Sequence, residues 1–376
     1  MSIIIGADLV PTTSNRALFA SADIDQLLGT KLKNRIQQAD FSVFNLETPL
    51  TDSLTPIEKC GPGLAAPTDT IKGIEAIGVD LFTLANNHIL DHGEQGLFST
   101  IDVLDRSGIQ HFGAGKTLTE ASRPYILQLK SGMVGILACV EHEFSVAEDN
   151  KPGANPFDPL ETPDQVDELK KKCDHVIVLY HGGKENYRYP SPALQKVCRK
   201  LVDKGADLVI TQHSHCIGCR ESYHGGTIVY GQGNFIFDYG DSEFVKSSLL
   251  IEVDEHFGIS YLPIIKTGNT IRLAENEQAE SILRAFNERS DAILQEGFIE
   301  KEYRRFAESF LEHYLLCLKG TRRRGIVFRL MNRLTSQKWR AWLAARYNKD
   351  DYLTIWNYIE CEAHRELLLE GLKNHD

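Results

Sequence analysis

Five short stretches place carboxylate, amide or imidazole side chains directly after runs of β-branched and aromatic residues. They are Asp8, Asn45-Leu46-Glu47, Asn86-Asn87-His88, His181 with its two following glycines, and His213-Ser214-His215. Imidazole combined with carboxylate suits Zn, Mn or Fe, whereas Ca and Mg prefer oxygen donors throughout. Each residue alone has an ordinary explanation. Asp8 can make an Asx-turn, Asn87 can cap a helix, and a single strand-end histidine is commonly a hydrogen-bonded structural group. The recurrence points to a site, because ligands of open α/β sheets bind beyond the carboxyl ends of the strands. The spacing of His213 and His215 puts both rings on one face of a strand if the strand continues through them.

The elements that position these residues are legible as an alternation. Strand-like runs fall at 3–5, 41–45, 81–84, 133–140, 176–180, 208–211 and 227–230. Between several of them, apolar residues recur at helical spacing over 24–38, 68–77, 93–107, 163–173 and 192–204. Gly78, Gly108 and Gly205 stand where helix C-termini are expected. The rhythm predicts a layered α/β fold. A different texture follows near 272: few Gly or Pro, and helix-like patterns over 275–295, 300–318 and 352–372. The expected organisation is therefore a 1–272 domain carrying the site and a 273–376 helical extension.

The composition is 42 % hydrophobic and 25 % charged, enough apolar material for a sizeable core. A net charge of −11 argues against a general nucleic-acid binder. No window approaches the 18 or more apolar residues of a membrane span. The first residues read as a strand rather than a cleaved leader. With eight scattered cysteines, the expected location is the cytoplasm. Cys216 and Cys219 have the spacing of a zinc or redox pair, or are incidental loop cysteines. Basic residues cluster over 319–346 among Trp339, Trp342 and aliphatic side chains. That stretch suits contact with an anionic membrane surface or an acidic partner, or it packs its apolar face and solvates its charges.

In order along some 230 residues, these motifs resemble the CapA-like family of the metallophosphatase superfamily. The resembling segments are Asn45-Leu46-Glu47, Ala85-Asn86-Asn87-His88 with Asp91 and Gly93, the 108–115 glycine segment, His181-Gly182-Gly183-Lys184-Glu185, His213-Ser214-His215, and Gly231-Gln232-Gly233-Asn234. The resemblance implies a four-layer α/β/β/α sandwich around one or two divalent transition metals. Asp8, Glu47 and His215 would hold one metal. Glu47, Asn87, His181 and His213 would hold the other, with Glu47 bridging. His88 would face the substrate and Asp91 would orient it, while Asn45, Glu185 and Asn234 would line the substrate site. Three positions depart from the wider superfamily. Val10 stands where a histidine usually follows the first aspartate, Glu47 replaces the bridging aspartate, and Gln212 replaces the glycine before His213. The implied function is hydrolysis of a phosphoester, or of an amide or ester in an acidic polymer, tied to capsule or poly-γ-glutamate synthesis. The alternative is a metal-containing protein that binds or assembles the polymer without cutting it.

Overall fold

The computed structural model describes residues 2–59, 61–130, 132–238, 240–318, 330–331, 333–335 and 338–360. Strand β1 (Ser2–Val10) leads through helices α1 (Arg16–Ala20), α2 (Ile24–Leu28) and α3 (Thr30–Gln37) to β2 (Phe41–Leu46). A long loop and α4 (Ile71–Ile77) precede β3 (Leu81–Thr83), and α5 (Gly93–Arg106) precedes β4 (Gln110–Phe112). The chain continues with β5 (Ala114–Gly115), α6 (Leu118–Ala121), β6 (Tyr125–Leu129), β7 (Gly132–Val140) and β8 (Gly153–Ala154). Next come α7 (Glu161–Lys170), β9 (His175–His181), α8 (Pro192–Asp203) and β10 (Leu208–Gln212). Strands β11 (Ile217–Tyr223), β12 (Gly226–Gln232), β13 (Asn234–Phe237), β14 (Ser247–Asp254), β15 (Ile259–Thr267) and β16 (Thr270–Leu273) are followed by α9 (Asn276–Ala292).

The strands form two large sheets. One runs β16-β15-β14-β1-β2-β3-β4, with β13 added beside the end of β1, and the other runs β11-β12-β10-β9-β7-β6. Alternating side chains divide the apolar residues into three layers, because successive residues of a strand face opposite sides. Ile3, Ile5, Val43 and Leu81 of the first sheet meet Ile136, Ala138, Ile177, Leu179 and Ile210 of the second. Ile4, Leu9, Phe44, Leu46 and Phe82 face the other way, against Phe19, Leu27, Leu32, Ile74 and Leu97 of the first helical layer. Leu137, Cys139, Val176, Val178 and Val209 pack on Val166, Leu169, Cys198 and Leu201 of α7 and α8. The result is the expected four-layer α/β/β/α sandwich. Its central strands are buried on both faces, so they read as continuous apolar runs.

The structure changes three local expectations. The helix expected over 24–38 is two helices, broken at Gly29 (φ 72°). A Cβ there would stand 2.8 Å from Arg272 Cδ, and the Arg272 guanidinium donates to the carbonyls of Leu27 and Gln26 at the end of α2. Glycine tolerates both the backbone angle and the close approach. Strands β14–β16 extend the first sheet as antiparallel hairpins, beyond the runs expected from sequence. Of the two cysteines read as a zinc or redox pair or as incidental loop residues, only Cys216 lies in the loop between β10 and β11. Cys219 is within β11, both are fully buried, and neither joins a metal-ligand group among the described residues.

Two compact units divide the chain, Met1–Lys301 and Glu302–Asp376. The last strand ends at Leu273, close to the texture change at 272, but the first unit runs on. Helix α9 packs on β11 and β15, and its Phe286 enters the core between the sheets. Helix α10 (Phe298–Leu318) starts in the first unit. In the second, α11 (Lys338–Ala344) and α12 (Lys349–Glu360) carry exposed Trp342, Leu353 and Trp356. Trp339 stacks on Trp342, and Arg346 lies over the Trp342 ring. The arginines at 322–324 and the end of the helix expected to 372 lie outside the described residues. No helix among the described residues is long and apolar enough to cross a membrane.

Candidate metal centre

Strands β1, β2, β9 and β10 run parallel within their sheets, so their carboxyl ends open on one edge of the sandwich. Asp8 is paired in register with Asn45 of β2 and Asn234 of β13, at irregularities in both ladders. Glu47 follows β2 directly, and its backbone N donates to Leu9 O. His181 is the last residue of β9. Asn87 and His88 occupy the turn after β3, held by Asn86, whose Nδ2 donates to Leu46 O and Asn45 Oδ1 and whose Oδ1 accepts from His88 N.

The structure brings the expected ligands together. Ligand atoms of Asp8, Glu47 and His215 lie within 4.8 Å of one another, and so do those of Glu47, His181 and His213. Glu47 belongs to both sets. His181 Nε2 is 3.2 Å from Glu47 Oε1, 3.0 Å from Asn87 Oδ1 and 3.2 Å from His213 Nδ1. His215 Nδ1 is 3.6 Å from Asp8 Oδ2 and 2.8 Å from Asn234 Oδ1. Asn45 is fully buried, and its Nδ2 donates to Asp8 Oδ1 while lying 3.2 Å from His181 Nδ1. Glu185 is exposed on the loop after His181 and belongs to neither set.

One expectation about geometry does not hold. Strand β10 ends at Gln212, so His213 and His215 are not aligned by a strand's pleat. Both adopt left-handed backbone angles, φ 73° and 54°, and they enter different ligand sets.

Whether a cation suits this pocket can be tested on its polar atoms. Asp8 Oδ2 and both Glu47 carboxylate oxygens are buried with no well-aligned hydrogen bond, and ring nitrogens of His215 and His181 face Asp8 Oδ2 and Glu47 Oε1 at 3.6 and 3.2 Å. Buried carboxylate oxygens left unsatisfied are costly. Three imidazoles, two carboxylates and an amide oxygen around them form a donor set suited to divalent transition ions. The residues therefore fit a metal.

The electrostatics follow from crowding. Burial favours the neutral Glu47 carboxyl, but the His181 and His215 charges outweigh it and hold the group at about 2. Burial pushes His215 down, yet Glu47 and Asp8 raise it to about 10. His181 is raised for the same reasons. Burial and its neighbouring imidazoles hold His213 well below the usual histidine range.

Beside the ligands, His88 Nδ1 is 2.6 Å from Asp91 Oδ2, which leaves Nε2 as the nitrogen for a ligand. Asp91 is fully buried and also accepts from Leu64 N and from the Lys59 ammonium. Lys59 Nζ lies 3.4 Å from His88 Nδ1. Lys59, Glu141 and Glu143 are missed by the sequence reading. Glu141 follows β7 and lies 3.5 Å from His213 Nε2, so the strand-end rule applied to β7 finds it. Burial, then Glu143, raises the Glu141 carboxyl, although Gly183 N opposes this. Lys59 sits in a loop with no local signal.

The profile of the family described as "Bacterial capsule synthesis protein PGA_cap" matches residues 3–239. The chain is similar to "PGA biosynthesis protein CapA" of Bacillus subtilis, 30 % identical over 48 % of this chain and 49 % of that one. It is also similar to "Capsule biosynthesis protein CapA" of Bacillus anthracis, 27 % identical over 57 % and 54 %. A "Probable polyglutamine synthesis accessory protein" of Mycobacterium tuberculosis is 30 % identical over 56 % and 60 %. The chain thus spans about half the length of the curated relatives it matches. Among solved structures, a phosphatase of Mycoplasma pneumoniae aligns at TM-score 0.43 and 14 % identity, over 71 % of this chain and 94 % of that one. A hypothetical protein of Thermus thermophilus aligns at TM-score 0.43 and 16 % identity, over 70 % and 98 %. The profile match extends from β1 past the last ligand, His215, and through β13, and by it the chain belongs to the family of bacterial capsule synthesis proteins, PGA_cap.

Proposed function

We propose that this chain is a metal-dependent hydrolase of capsule or poly-γ-glutamate synthesis, acting on a phosphoester or on an amide or ester of an acidic polymer. The observation that carries this reading is the pair of ligand sets sharing Glu47, set beside the His88–Asp91 pair. Asp8, Glu47 and His215 would hold one ion, and Glu47, Asn87, His181 and His213 the other. Divalent transition ions in such a site supply Lewis acidity and lower the pKa of the water they bind.

The chain's own residues do the rest. Asp91 fixes the His88 ring through Nδ1, so that Nε2 can hand a proton to a leaving-group oxygen or nitrogen. Asn45 and Asn234 hold Asp8, His181 and His215 in place from behind, as outer hydrogen-bond partners do for metal ligands. Glu185 stands outside the ligands on an exposed loop, where it would meet an incoming substrate. The basic stretch 319–346 would supply a contact to the acidic polymer, a partner protein or a membrane surface. Cytoplasmic residence is part of this reading and rests on the scattered cysteines.

A second reading, polymer binding or assembly without cleavage, is favoured by Val10. It is buried at the position where the wider superfamily has a further ligand, leaving the first set with three side chains. One comparison separates the two. Metal content, polymer binding and hydrolysis of phosphodiester, amide and polymer substrates would be measured for the native chain and His88→Ala. The hydrolase reading expects retained metal and a rate about 10²–10⁴-fold lower in the variant. Retained metal and polymer binding with no turnover by the native chain on any substrate would favour the second.

A further inference from the structure

Strand β7 ends at Val140, and the chain then reads Glu141-His142-Glu143. Glu141 is pinned beside the ligands by its backbone, since its N donates to His181 O at 3.0 Å. Its Oε2 accepts from Gly183 N at 3.1 Å, and its Oε1 is 3.5 Å from His213 Nε2. Two residues on, Glu143 Oε2 accepts from Asn87 Nδ2 at 3.0 Å. One segment therefore places a carboxylate beside each of two different ligands, and with His213 the two carboxylates form a further group of metal-type side chains within 4.8 Å of one another.

An ionised carboxylate only accepts hydrogen bonds. The Asn87 amide must turn its Nδ2 toward Glu143, and its Oδ1 is then forced to the opposite side, where it lies 3.0 Å from His181 Nε2. An amide turned the other way would set two acceptors against each other and aim N–H bonds, which cannot ligate, at the ligand set. The same logic holds for His213. A carboxylate beside Nε2 favours the proton there, and leaves the Nδ1 lone pair facing His181 Nε2, 3.2 Å away. Metal-ligating histidines commonly give their other N–H to such a carboxylate.

We infer that Glu141 and Glu143 are positioning residues that select which atoms of His213 and Asn87 face the metal: Nδ1 of the imidazole and Oδ1 of the amide. This rests on the metal reading proposed above and adds residues that the motifs do not contain.

The test is calorimetric titration of the full chain with Zn²⁺ against a competing chelator, for the native protein, Glu141→Gln, Glu143→Gln and Asp149→Asn. Asp149 is an exposed acid of the same loop, and its variant removes the same charge without touching a ligand. Melting of the metal-free forms checks that each variant is folded. The two glutamate variants should bind one ion about 10–100-fold more weakly, with Asp149→Asn at the native affinity. In the zinc-loaded native chain, ¹⁵N resonances of His213 should show metal at Nδ1 and a proton at Nε2. Native affinity in both glutamate variants, an equal loss in Asp149→Asn, or zinc at Nε2 would overturn the inference. A native chain that binds no metal would overturn the metal reading and this inference together, which separates the two failures.

Discussion

His213 and His215 stand two residues apart with φ of 73° and 54°, and their ring centroids are 5.9 Å apart. Two left-handed, non-glycine residues so close together cost on the order of 1–3 kcal/mol each. The kink turns the chain sharply after β10, so neighbouring histidines serve different ligand sets around Glu47.

That strain gives a direct test of what His213 is for. Asparagine adopts left-handed angles more readily than histidine. His213→Asn should therefore keep the melting temperature of the metal-free protein, while elemental analysis finds one ion fewer per chain. A variant that loses stability as a truncated core residue does, with its metal intact, would make His213 a packing residue instead.

Glu47 is common to the set with Asp8 and His215 and the set with His181 and His213. Glu47→Gln keeps the shape of the side chain and removes its charge. Both ions should be lost, whereas His215→Ala should lose only the one shared with Asp8. Elemental mass spectrometry of the two variants, purified without chelator, reads this out. Equal losses in both would mean that Glu47 does not bridge.

Lys59 and Asp91 form an ion pair whose side chains are 6 % and 0 % exposed. Breaking a buried pair from one side strands the other charge, at about 3–5 kcal/mol. Lys59→Met should show a loss of this size in urea denaturation. The double variant Lys59→Met with Asp91→Leu should recover much of it, since no charge is then left buried. Because Leu64 N and His88 Nδ1 also bond Asp91, part of the loop order and the fixed orientation of the His88 ring are expected to go with the aspartate. A single variant within 1 kcal/mol of the native chain would show that solvent reaches Asp91 (scale of a surface pair, about 0–1 kcal/mol).

The metal-free protein should have a stability maximum near neutral pH. His215 is raised from 6.5 to about 10, so its stabilisation is complete below 6.5 and is lost as pH rises toward 10. Glu47 is lowered from 4.5 to about 2, so its stabilisation is present above 4.5 and is lost as pH falls toward 2. His213, held below 6.5, resists protonation and adds to the loss on the acid side. Divalent metal should remove the alkaline limb, because ligating imidazoles must be deprotonated. Denaturation curves from pH 5 to 9.5, with and without Zn²⁺, check this. A chelated protein as stable at pH 9 as at 6.5 would contradict it.

Much of the site is written in local sequence, because its logic is local. A strand buried on both faces must be a continuous apolar run, and the polar residue that ends it lies at the sheet edge. Glu47, Asn87 and His181 can be found that way, whereas Asp8, expected after a short strand, lies inside β1, which runs on to Val10. A layered α/β fold follows from strands alternating with amphipathic helices, and the four layers from the resemblance. What the sequence hides depends on distant contacts. Lys59 meets Asp91 from 32 residues away, and Glu143 meets Asn87 from 56. The split at Gly29 depends on Arg272, 243 positions on. Strand β13 joins β1 by pairing Asn234, Ile236 and Phe237 with Asp8, Leu9 and Val10, more than 220 positions away.

The sequence by itself determined which residue types would gather and at which end of the sheets, since strand periodicity and chain direction settle both. Only the tertiary structure decided how the ligands divide into two sets, which atom each presents and what holds it there. Those choices rest on hydrogen-bond partners and backbone angles set by packing, and no spacing along the chain encodes them.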